Sequence, residues 1–181
     1  KSPKRKRVTH TKKDQIKAVK IHKKCLKILV KEFLRCCELA NDDLLLATLS
    51  SVLPANFASI APTSVNEEYL RSLMIWFRLN FETVSFRSNS DVDSDTLISA
   101  LTSRRGSSHE LTLLFYGILT LLRIPCKLLG TVDPPPYRLQ EYNRSLKRCF
   151  EAGDTEEMLL QCAQRSSMWC EVDPDATSAY M

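Results

Sequence analysis

The fold class this sequence predicts is α+β, mostly helical with a small antiparallel sheet. Apolar residues recur at three- and four-residue spacing through several long segments, as they do on the buried faces of amphipathic helices. Only two short segments, 126–132 and 169–174, read as strands. Hydrophobic residues make up 44% of the 181, enough for a real core in one domain, with room for an appendage.

Segment 1–13 is charged, contains Pro3 and has no apolar period, so it is expected to be a disordered basic arm ahead of a domain over 14–181. From 14 to 39, Val19, His22, Leu26, Leu29, Phe33 and Cys36/Cys37 form one helical face, on which His22 is expected to be packed and satisfied. Lys17, Lys20, Lys23, Lys24, Lys27 and Lys31 fill the rest, either as a solvated face or as a cationic ridge for a nucleic-acid backbone. Asn41 is expected to cap a helix over 42–52 that Pro54 ends. Ser64 and Glu67 read as a capping box for a third helix through Tyr69, Leu70, Leu73, Met74, Trp76, Phe77 and Phe81. That aromatic stripe is assigned to core rather than to base stacking.

Segment 87–95 is polar and reads as a loop, followed by a short helix near 96–101. Ser107 and Glu110 form a second capping box, opening an apolar helix over 111–122 that Ile124-Pro125 breaks before the 126–132 strand. Pro134-Pro135-Pro136 is a stiff turn or polyproline segment. Helices near 139–150 and 155–164 follow, separated by Gly153, with Asp154 and Glu157 at the start of the second. No internal repeat is present.

The net charge of +5 conceals an asymmetry. Residues 1–31 hold thirteen Lys or Arg against Asp14 alone, a net +12. The remainder holds thirteen bases and twenty acids, a net −7. Local basicity suits a polyanion or an import receptor. Pro3-Lys4-Arg5-Lys6-Arg7-Val8 resembles a single-cluster nuclear import signal; phosphate contact and plain solubility are the other readings. No run approaches the roughly 20 apolar residues of a membrane span, and the basic start lacks the apolar stretch of a secretory signal. Seven scattered cysteines without CxxC or zinc-type spacing suggest reduced, buried thiols. No metal or cofactor is expected, and four glycines in all cannot build a phosphate-cradling loop.

The most informative stretch is Ser103-Arg104-Arg105-Gly106-Ser107-Ser108-His109-Glu110-Leu111-Thr112-Leu113-Leu114-Phe115. A loop with a glycine, a small polar residue at a helix N-terminus and an apolar helix behind it have the shape of a transglutaminase-type nucleophile site. A helix N-terminus stabilises a thiolate, but a serine hydroxyl needs a positioned base. Only His10, His22 and His109 exist, and His109 is adjacent to Ser108, roughly 100° away around the helix. Catalysis is therefore not expected.

Four segments together resemble the transglutaminase-like domain of the xeroderma pigmentosum group C family of DNA-damage recognition proteins. They are Val19-Lys20-Ile21-His22-Lys23-Lys24-Cys25-Leu26; Leu49-Ser50-Ser51-Val52-Leu53-Pro54-Ala55-Asn56-Phe57; segment 73–81 with Trp76-Phe77; and segment 103–132, with Glu110-Leu111, Phe115 and 128–134 in order. The resemblance covers about 15–135, with a WxxVD-like end added. It implies a catalytically degenerate member of the papain-like cysteine-protease superfamily, with Ser108 at the cysteine position. Read as W-x-E-V, Trp169 and Glu171 put Ser167 at the histidine; read as W-x-x-V-D, Asp173 matches the triad aspartate.

The resemblance further implies a nuclear, non-catalytic scaffold for nucleotide-excision repair, without cofactor. Its partners would be the backbone of duplex DNA and a ubiquitin-like, UBA-containing repair adaptor. The chain is expected to be a fragment lacking the β-hairpin DNA-binding domains. Candidate DNA contacts are Lys4, Arg5, Lys6, Arg7, Lys12, Lys13, Lys20, Lys23, Lys24, Arg104 and Arg105. The alternatives are a peptide N-glycanase- or transglutaminase-like hydrolase with serine for cysteine, and an adaptor-binding module whose basic tail serves only import.

Overall fold

A computed structural model describes residues 11–59, 65–84 and 92–172. It is mostly helical with a small antiparallel sheet, the coarse class the sequence predicts. Its helices are α1 (Lys12–Leu39), α2 (Asp43–Val52), α3 (Ala55–Ala58), α4 (Glu67–Asn80), α5 (Ser94–Ser103), α6 (Ser108–Leu121), α7 (Arg144–Ala152) and α8 (Thr155–Arg165). Its strands are β1 (Glu82–Thr83), β2 (Arg105–Gly106), β3 (Cys126–Thr131) and β4 (Ser167–Val172). The chain divides into two compact units, one of residues 1–30 and 132–165, the other of 31–131 and 166–181.

In the larger unit, α6 is the central helix. Leu111, Leu113, Leu114, Ile118 and Leu119 are buried along it, beside Leu45 and Leu49 of α2 and Leu97 and Leu101 of α5. Gly117 permits the close approach: a Cβ there would meet Leu49 Cδ1 at 2.8 Å. β3 and β4 pair antiparallel from Cys126↔Val172 to Thr131↔Ser167. Met168, Cys170 and Val172 pack on the core while Ser167, Trp169 and Glu171 alternate outward. Gly130 is required where β3 meets a ring, since a Cβ would lie 2.6 Å from Phe33 Cε2. The pairing of β1 with β2 is parallel, Glu82↔Arg105 and Thr83↔Gly106, and too short to announce itself in the sequence.

The smaller unit buries Ala18, Leu139, Tyr142, Leu146, Cys149 and Met158. His22 is half-buried, with Nδ1 2.7 Å from the Pro135 carbonyl, the satisfied packing its place on the apolar face predicts. Asp154 accepts from the Glu157 amide at 3.0 Å, and Gly153 takes the left-handed conformation (φ 76°) that ends α7.

Several boundaries differ from expectation for local reasons. α1 starts at Lys12 because Thr11 and Asp14 bond reciprocally at its entrance, so Lys12 and Lys13 are helical rather than part of an arm. Asp42, not Asn41, caps α2: its carboxylate accepts from the Leu45 amide at 3.0 Å, while the Asn41 amide donates back to Cys37. Asn66 caps α4 through the Tyr69 amide; Ser64 lies outside the described residues, and Glu67 is the first helical position. Tyr69, Leu73 and Phe77 keep one buried line on α4, which leaves Met74, a residue off that line, half exposed rather than in the core. The helix expected from 139 is a 3₁₀ turn (Leu139–Glu141), then α7 capped by Asn143. α5 and α6 are longer than expected, and both capping boxes there are complete.

Candidate functional site

The loop ahead of α6 is built by backbone geometry. Arg104 ends α5 at φ 56°, and β2 then runs beside β1, where the Glu82 amide donates to Arg104 O and the Val84 amide to Gly106 O, both at 2.8 Å. Gly106 is buried, and a Cβ there would stand 3.1 Å from Ala100 Cβ and 3.2 Å from Glu110 Oε2. Ser107 caps α6 while the buried Glu110 carboxylate accepts from the Ser107 amide at 2.6 Å. The capping box read in the sequence is therefore real, and it engages the Glu110 carboxylate.

Ser108 is the first residue of α6 and is exposed; its hydroxyl has no hydrogen-bond partner among the described residues. The next residue, His109, is buried, with Nε2 3.0 Å from the Ser166 carbonyl. The two side chains diverge, as adjacent helical positions must. Ser167 opens β4 and pairs its hydroxyl with Thr131 Oγ1 at 2.8 Å. It lies on the outward face of the hairpin, whereas Cys170, on the inward face, directs its thiol to the Thr112 carbonyl of α6. Ser108 and Ser167 are not brought together by any hydrogen bond, and Asp173 lies outside the described residues.

Six of the seven thiols are shifted away from thiolate formation. All seven cysteines are free. Burial raises Cys25, Cys36, Cys37, Cys126, Cys162 and Cys170, with Cys36 pushed up to about 11 and Cys170 to about 12. Thiolate activation requires the opposite shift.

Arg104 and Arg105 are both exposed but engaged locally. Arg104 Nη1 donates to Asn80 Oδ1 at 2.7 Å, and Arg105 Nε lies 2.9 Å from Glu82 Oε2. These contacts hold the loop against the end of α4 and β1.

The other candidate surface is on α1, within the smaller unit. Lys12, Lys13, Lys20, Lys23, Lys24 and Lys27 are all exposed, and none has a carboxylate partner among the described residues. At 100° per residue they fall within about 120° of one another, a ribbon about 22 Å long. Lys17 leaves the ribbon: its ammonium sits 4.5 Å over the Phe150 ring and 3.2 Å from the Phe150 carbonyl. Lys27, part of the possible ridge though not among the candidate DNA contacts, lies on the same face as Lys20, Lys23 and Lys24. Lys4, Arg5, Lys6 and Arg7 lie outside the described residues. No helix among the described residues is long and apolar enough to cross a membrane. No protein-family model matches the chain.

Proposed function

We propose that this chain is a non-catalytic scaffold that grips the backbone of duplex DNA through the lysine ribbon of α1. The observation carrying this reading is six exposed ammonium groups on one helical face, none with a carboxylate partner among the described residues. Phosphate contacts of this kind supply affinity without reading sequence. The resemblance to the damage-recognition family supplies the setting: a transglutaminase-like fold retained as a scaffold in nucleotide-excision repair, nuclear, and docking a ubiquitin-like, UBA-containing adaptor. The Pro3–Val8 cluster is proposed as its import signal.

The non-enzymatic part is supported by the chemistry around Ser108. A serine needs a base within hydrogen-bond reach, and the neighbouring imidazole is instead committed to the Ser166 carbonyl. Arg104 and Arg105, each with a local partner, are assigned to holding the loop rather than to gripping DNA.

The test is a titration of labelled duplexes of several sequences with the protein and with a Lys20→Gln/Lys23→Gln/Lys24→Gln variant. Binding should weaken at least about tenfold, and equally for every sequence. Unchanged affinity would overturn the ribbon assignment, and serine-directed phosphonate labelling lost on Ser108→Ala would replace it with the hydrolase reading.

A further inference from the structure

We propose that the first turns of α1 also dock an acidic peptide segment carrying an apolar anchor, a partner class distinct from DNA. Lys12, Gln15, Ile16, Val19, Lys20 and Lys23 line an open hollow of about 520 Å³. Ile16 is 58% exposed although it stands among the lysines of the ribbon. On a helix, Lys12, Ile16, Val19, Lys20 and Lys23 share one face, so the aliphatic pair is framed by three ammonium groups. The walls are carbon: isoleucine, valine and the lysine stems, which lie along apolar surface while their heads stay in water. Gln15 is already engaged, donating to the Tyr137 carbonyl at 2.6 Å.

Charge complementarity selects the occupant. A phosphate backbone satisfies the ammonium groups but offers nothing to cover Ile16 and Val19. A peptide with clustered Asp and Glu around a leucine or tryptophan satisfies both, burying the anchor on Ile16 while its carboxylates meet Lys12, Lys20 and Lys23. Duplex and peptide then share lysines, and binding is mutually exclusive. The ribbon would thus be cleared from DNA by an acidic partner rather than by salt alone.

Fluorescence anisotropy on the whole chain separates the two readings. The probe is a labelled twelve-residue Asp/Glu peptide with a central Leu-Trp pair; the control carries Ser-Ser there. The anchored peptide should bind about tenfold more tightly than the control. Ile16→Gln should abolish that difference while leaving duplex affinity within about twofold, because it changes no charge. Lys20→Gln/Lys23→Gln should weaken both ligands. Equal binding of the two peptides, or an anchored peptide indifferent to Ile16→Gln, would overturn the proposal. So would a concentration-dependent dimer that Ile16→Gln dissolves, since a second copy would then be the occupant. Anchored-peptide binding without duplex binding would uphold this site and remove the DNA reading alone.

Discussion

At the scale of single residues, burial decides what polar groups can do. Glu110 is 4% exposed and is used to close the capping box on Ser107, itself buried. Glu110→Ala would leave the Ser107 amide without that acceptor, at a cost of about 2 kcal/mol, while Glu110→Gln keeps an acceptor in place and recovers most of it. Urea unfolding of the two variants checks this. The thiols make a second prediction. Cys36 and Cys170 stay protonated in the fold to about 11 and about 12, because burial disfavours the thiolate, helped at Cys36 by Glu32 and at Cys170 by Cys126. In the unfolded chain they ionise near the ordinary 9.0. Their contribution is complete below pH 9 and is lost as pH rises through the folded values, since the unfolded chain then holds fewer protons. Stability measured under reducing conditions should fall from pH 9 upward, and a Cys36→Ala/Cys170→Ala variant should show a shallower fall.

Among the elements, close approach is set by glycines. Gly130→Ala forces a Cβ into the Phe33 ring and should destabilise the larger unit by about 1–3 kcal/mol; adding Phe33→Leu should recover part of it, as chemical denaturation of the single and double variants would show. Legibility of the elements tracks how local their causes are. The box of Ser107 and Glu110, the break at Ile124-Pro125 and the Asp154 start of α8 rest on neighbours within four residues, and all were readable. Caps with two plausible acceptors in a row were not: Asp42, in extended backbone, accepts from the Leu45 amide, while the neighbouring Asn41 side chain donates to the Cys37 carbonyl. The β1–β2 pairing depends on residues more than twenty positions apart, with two residues per strand, so no periodicity reports it. At the site, the divergence of Ser108 from His109 followed from helical geometry. The engagement of Arg104 by Asn80 and of Arg105 by Glu82 is tertiary, and nothing in the loop itself foretells it.

Across the whole molecule, the unequal distribution of charge matters more than its total. Residues 1–30 and 132–165 carry seventeen bases and seven acids, a net +10; the other residues carry nine bases and fourteen acids, a net −5. The net +5 therefore understates the field that a polyanion meets at the lysine ribbon, where six of those bases stand exposed along about 22 Å of helix. Each lysine that neutralises a phosphate releases a counterion, so log affinity falls linearly with log salt at about −0.9 per contact. Six contacts give a slope near −5 and about a thousandfold loss of affinity between roughly 50 and 200 mM salt. Lys20→Gln/Lys23→Gln/Lys24→Gln should bring the slope to between about −2 and −3, because three releases disappear. Duplex titrations at four salt concentrations measure both slopes. A ribbon that merely keeps the protein soluble would leave a shallow slope that the substitutions do not change, whereas a backbone-gripping ribbon loses about one unit of slope for each lysine removed.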